Sequence, residues 1–140
     1  MSIPTHVTLQ VVSADRSLVN EQVDEVQIPG ADGYLGILPG HTQLLTTMQV
    51  GMMWYRQGSE KHYLSIAFGF AEVQPDRVTI LAQIAEKAGE IDVPRAETAK
   101  KRAEARLSRP TMDMDFERAR IAMLKALIRL QVSAHARTRA

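Results

Sequence analysis

The stretch IPGADGYLGILPGHTQLL, residues 28–45, places four glycines beside a histidine and several apolar residues. Glycine-rich loops hold phosphate when backbone N–H groups converge and a cation stands near. The spacing Gly30-x-x-Gly33-x-x-Gly36 fits neither the dinucleotide fingerprint nor a Walker loop, because no Lys-Ser/Thr follows. No lysine or arginine occurs between Arg16 and Arg56, so a phosphate here would meet no counter-charge. The glycines therefore read as tight turns, with Gly33 and Gly36 supplying positive φ and Leu35 and Ile37 on a short strand between them. His41, between Gly40 and Thr42, is a base by residue type alone. It has no cysteine to activate and no serine in a nucleophile elbow, so a turn histidine bonded to backbone is the expected role. His6, His41, His62 and His135 lack metal-ligand spacing. Nothing in these residues argues for an enzyme.

The frame that positions them is one domain of 140 residues, or a small domain with an appendage. Zero cysteines exclude disulfides and thiolate metal sites, and a reducing cytoplasm is the default expectation. No apolar run approaches the roughly 20 residues of a membrane span. The opening MSIPTHVTLQVV lacks a basic n-region and an apolar core, so no signal peptide is expected. Any work at a membrane would be done by holding another protein. The net charge of +1 hides a step: residues 1–89 carry five Lys/Arg against nine Asp/Glu, residues 90–140 twelve against seven. Such a step suggests two parts with different partners.

The elements divide at the same place, giving domains at 1–88 and 89–140. Val7, Leu9 and Val11; His62, Leu64, Ile66 and Phe68; and Val78, Ile80, Ala82 and Ile84 each follow the period of two of a half-buried strand. Turn residues separate the runs, which predicts an antiparallel β sandwich or barrel. Trp54 and Tyr55 read as core and sheet surface rather than as a stacking platform. Beyond Gly89, RAETAKKRAEARL is rich in helix formers, with Asp92 as N-cap and Pro94 in the first turn. Ala96, Ala99, Ala103 and Leu107 share one face, small enough for a partner helix to approach closely. After a break at residues 108–111, a second helix is predicted near Asp113. It has Asp115 and Glu117 in its first turn, Arg137 and Arg139 near its end, and a stripe of Phe116, Ala119, Met123, Ala126 and Leu130. Ile121, Leu124 and Ile128 make it apolar over more than one face. The chain reads as a β domain followed by a C-terminal α-helical hairpin.

The order of these pieces resembles the epsilon subunit of bacterial F-type ATP synthase. The resemblance rests on Val11–Asp15, on Ile28-Pro29-Gly30, on Gly33-x-x-Gly36-Ile37-Leu38-Pro39-Gly40-His41-Thr42 and on Ala71–Pro75, with the hairpin in the family's position. Tyr34 departs from it, standing where many relatives carry an acidic residue, and Leu18-Val19-Asn20 replaces Phe-Ser-Gly. The resemblance implies a non-catalytic rotor subunit whose sandwich binds gamma and rests on the c-subunit ring, coupling proton-driven rotation to the catalytic head. It places Asp32, Tyr34 and His41 at the ring, on a docking edge built from the glycine turns. It implies a hairpin that either folds on the sandwich or extends into the head, where it touches the alpha and beta subunits and blocks ATP hydrolysis. It also implies a location on the cytoplasmic face of the bacterial inner membrane, reached only through the complex.

Ile91-Asp92-Val93-Pro94-Arg95-Ala96 matches the motif with which some relatives bind ATP on the folded hairpin, and Glu86, Arg102, Lys125 and Arg129 fall where those relatives place further contacts. No cofactor is required; ATP would be a regulatory ligand. Arg95 and Arg102 lie two turns apart on one face and Lys125 and Arg129 are an i, i+4 pair, so an antiparallel hairpin could converge them on a phosphate chain. Without a ligand, Asp92 is simply a helix cap and the cations are solvated surface. The rival class is nucleic-acid binding by the basic hairpin. Its cations lie on several faces and Phe116 is its lone aromatic, so neither a stacking platform nor a groove-reading helix results, and no nucleic acid is expected as a partner.

Overall fold

The computed structural model describes residues 3–137; Arg139 lies outside the described residues. Seven strands make one continuous sheet: β1 (Val7–Ser13), β2 (Ser17–Val23), β3 (Glu25–Gly30), β4 (Gly33–Ile37), β5 (Leu44–Gln57), β6 (Glu60–Val73) and β7 (Arg77–Lys87). Their order is β2-β1-β7-β6-β5-β3-β4. The pairs are antiparallel, as the sequence predicts, with one addition: β1 lies parallel to β7. Parallel neighbours need a long connection, and here the rest of the domain supplies it.

One row of residues turns this sheet into two layers. In β5 the more covered positions are even up to Met48, with Leu44 and Thr46 half-buried, and the buried ones are odd from Gly51 to Tyr55. In β6 they change from Leu64 and Ile66 to Ala71 and Val73, and in β7 from Val78, Ile80 and Ala82 to Ala85. All three switches fall on the row Gln49, Phe68, Gln83, where the ladders skip a pair. Phe68 has φ 63 and Gly69 φ 130 there. A strand that changes face in this way passes from one layer of a sandwich to the other. The far edge then closes on β5: Gln57 Nε2 donates to Glu21 Oε2 at 3.0 Å and to the Gln22 carbonyl at 3.1 Å.

The enclosed core includes Leu9, Ile28, Ile37, Met53, Leu64, Ile66 and Ile80, all fully buried. Each such side chain is worth about 1.5–3 kcal/mol of burial. Every member of this cluster comes from residues 7–85, so the helices add nothing to it. The face switch corrects one expectation: Ile84 is 47% exposed and Ala85 takes the inward place. Among the glycines, Gly33 and Gly40 have positive φ, whereas Gly36 does not and lies within β4 opposite Gln27.

A 3-10 turn at Ala88–Glu90 leads to α1 (Val93–Ser108) and α2 (Phe116–Arg137). Asp92 Oδ1 accepts from the Arg95 N–H at 3.1 Å, the predicted cap. The second helix starts at Phe116, later than predicted, because Asp115 caps it by accepting from the Arg118 N–H at 3.0 Å. Ala96, Ala103, Ala119 and Ala126 are buried. Phe116, assigned to the stripe by spacing, is exposed; Val132 and Ser133 are buried instead.

Candidate docking edge and nucleotide cleft

Asp32 sits exposed in the turn between β3 and β4, and His41 in the connection from β4 to β5. They flank a five-residue strand, about 17 Å long at roughly 3.3 Å per residue, so they mark the two ends of an edge and form no cluster. His41 Nδ1 bonds the Thr42 carbonyl at 2.7 Å, which is the backbone-bonded role predicted for it. The Gly40 N–H donates to Pro75 O at 2.8 Å, tying this loop to the β6–β7 turn. Tyr34 is 51% exposed on β4, yet its hydroxyl accepts from the Met52 N–H at 3.2 Å. That bond falls where the β3–β5 ladder shifts register between Gln27 and Gly30. Gly51 makes room for it, since a Cβ there would lie 2.8 Å from the Tyr34 oxygen and 2.5 Å from Pro29. Tyr34 is thus both part of the edge and a brace of the sheet. Phe70 and Leu81, cross-strand neighbours, expose an apolar area on the outer face.

The cations foreseen on the hairpin do converge. A cleft of about 610 Å³ opens between α1, α2 and the sheet, lined by Arg95 and Arg102 from α1, Lys125 and Arg129 from α2, and Glu86 from β7. Its floor is the small, outward-facing side of the sheet: Val50, Ser65 and Ala67, with Ile84 beside them. Ser65 and Ala67 alternate with the core residues Leu64 and Ile66, and this small–large alternation is the sequence signal that a helix lies on the outer face. Arg129 grips Glu86 through two bonds, Nε to Oε1 at 2.7 Å and Nη2 to Oε2 at 3.1 Å. Lys125 Nζ lies 5.7 Å from the centre of the Phe68 ring. Asp92 and Ala96 are not among the lining residues: Asp92 is committed to the helix cap and Ala96 is buried. What spacing did not reveal is the Glu86–Arg129 pair and a second long-range tie beside it. Arg16 in the β1–β2 turn holds Glu90 through bonds of 2.6 and 3.0 Å, and the Lys87 N–H donates to the same carboxylate at 3.0 Å. The Arg16 guanidinium, then the Lys87 amide, hold the Glu90 carboxyl below its ordinary range.

The order of a β domain and then two helices is also the order in which two family models match the chain. The family model for the beta-sandwich domain of the ATP synthase Delta/Epsilon chain matches residues 6–88, and that for its long alpha-helix domain matches residues 90–134. The chain belongs to the ATP synthase delta/epsilon family. It is 44% identical over 126 residues to ATP synthase epsilon chain 2 of Syntrophotalea carbinolica, covering 89% of this chain and 91% of the relative. It is 47% identical over 125 residues to the ATP synthase epsilon chain of Lawsonia intracellularis, covering 89% and 94%. Among solved structures, a chain in the Euglena gracilis mitochondrial ATP synthase (OSCP/F1/c-ring) superposes with a TM-score of 0.71. The identity is 23% and the coverage 99% of this chain and 84% of that one. At that identity the likeness establishes the common fold. Among the described residues, no helix is long and apolar enough to cross a membrane.

Proposed function

We propose that the chain is a non-catalytic central-stalk subunit that links gamma to the c-subunit ring, and that its hairpin restrains ATP hydrolysis by the alpha and beta head subunits when it leaves the sheet. The β domain acts as a rigid coupling piece, meeting the ring along the edge of Asp32, Tyr34 and His41. It works at the cytoplasmic face of the bacterial inner membrane and is held there by the complex. ATP in the cleft keeps the hairpin docked. The observation that carries this reading is the cleft itself: four cations and one carboxylate, drawn from both helices and the sheet, surround a space that exists only in the docked state. The resemblance of the segment around Asp92 to a nucleotide motif supports the same ligand.

Glu86 engages Arg129 before any phosphate arrives. An incoming polyphosphate would share that guanidinium, while Arg95 and Arg102, both exposed, are free to turn toward it. Bound ATP shifts the hairpin toward docking only by its preference for that state. Calorimetry of the full chain with ATP tests the reading. Saturable binding is expected, weakened about tenfold or more by Arg102→Ala through loss of a charge-assisted contact. No heat at millimolar ATP, or equal binding by the variant, would remove ATP from the cleft.

A further inference from the structure

We infer that a second pocket, where the last turns of α2 meet the open edge of β6, binds a small oxyanion such as inorganic phosphate. The β5–β6 ladder runs to Gln57 and Glu60, but the β6–β7 ladder stops at Leu64 and Lys87, because the chain turns away there. Residues 60–63 of β6 therefore have one edge that no strand covers, and alternate backbone groups along such an edge are available to a ligand. The space beside it measures about 360 Å³. At about 30 Å³ per water, it holds one phosphate with part of its hydration shell.

The side chains around it fit an anion. Lys87 and His62 line it, with Lys61 and His135 lining it from the other face of the same strand end. The imidazoles are held by ring stacking: His135 on Tyr63 at 3.8 Å and 9°, His62 on Tyr55 at 4.9 Å and 25°. His62 Nε2 is buried and makes no hydrogen bond. The Glu60 carboxylate stands 3.7 Å from it, beyond hydrogen-bond range. Glu90 is taken up by Arg16 and the Lys87 N–H, and Glu21, whose charge acts on Tyr55, accepts from Gln57 Nε2. Lys61 Nζ rests 4.0 Å above the ring of Trp54, which pairs with Tyr63 on the β5 side of β6, so its ammonium reaches an anion at the open edge only by swinging off that ring. None of these residues lines the cleft assigned to ATP. The pocket is built from the sheet, the linker turn and α2, so an anion in it favours the docked hairpin. That consequence, unlike the binding itself, rests on the proposed movement of the hairpin.

The test is a titration of the full chain with inorganic phosphate, followed by calorimetry and by backbone NMR shifts. Saturable binding is expected, with shifts centred on Lys61–Leu64 and Lys87–Gly89. Lys61→Ala with Lys87→Ala should weaken it about tenfold, since the two lysines that line the pocket are lost. Arg95→Ala with Arg102→Ala should leave it unchanged. The proposal fails if binding does not saturate, if the lysine variant binds as wild type, or if the arginine variant loses binding. A parallel titration with AMP separates a nucleotide phosphoryl from free phosphate: AMP binding that exceeds phosphate and vanishes in the lysine variant would reassign the pocket and overturn the proposal. Failure here leaves ATP calorimetry on the cleft untouched, so the two readings stand or fall separately.

Discussion

Glu90 receives two bonds from Arg16 and one from a backbone amide, and its carboxyl is held below its ordinary value of 4.5. A depressed folded-state value means that the pair's contribution is complete above the ordinary carboxylate range and is lost as pH falls through the folded value. A carboxyl NMR titration should place the Glu90 midpoint below 4.5, and Arg16→Ala should move it back up. A midpoint indifferent to Arg16 would mean that the tie does not form in solution. Tyr34 makes a second prediction. Tyr34→Phe removes the acceptor of the Met52 N–H and should cost about 1 kcal/mol in urea unfolding, whereas Asp32→Lys, on an exposed turn, should stay within about 0.5 kcal/mol. Asp32→Lys should instead lower proton pumping per ATP in membrane vesicles; unchanged pumping would take Asp32 off the docking edge. Local roles such as the Asp92 cap and the His41 turn are legible in sequence because donor and acceptor lie within three residues. Glu86–Arg129 and Arg16–Glu90, separated by 43 and 74 residues, are not, since no local pattern encodes which distant charge will be brought near.

At the scale of elements, the row Gln49, Phe68, Gln83 does the most to shape the domain. A Cβ on Gly69 would lie 2.1 Å from the Leu81 carbonyl oxygen, at a φ of +130 that side chains rarely adopt. Gly69→Ala should therefore destabilise the protein by more than about 2 kcal/mol, a backbone clash added to conformational strain. Gly58→Ala, at φ +62 with open space around it, should cost only about 1 kcal/mol. Equal effects in denaturant unfolding would argue against a tight corner at Gly69. The strands themselves were readable from their period of two. The corner was not: a one-residue phase shift looks like ordinary alternation, and an apolar residue type does not say which face is covered. That is why Ile84 reads as core but borders the hairpin cleft. The same ambiguity misplaced Phe116, whose spacing fits the helix stripe although it lies at the helix start, where no element covers it.

Across the whole molecule, the main hydrophobic cluster lies within the strands, while the helices bury their own alanines and Val132 and are tied to the sheet by the Glu86–Arg129 ion pair and the Tyr63–His135 stack. A β domain with its own core suits a hairpin that can be released without unfolding the rest. The exposed Leu124 and Leu127 give the second helix apolar surface to bury elsewhere. The decisive measurement is ATP hydrolysis by the assembled enzyme across a range of ATP concentrations, with the intact chain or with residues 89–140 deleted. The account predicts faster hydrolysis after deletion, most of all at low ATP, with the difference closing as ATP rises and persisting in the Arg95→Ala/Arg102→Ala variant. Equal rates for intact and shortened chains at every ATP concentration would contradict it.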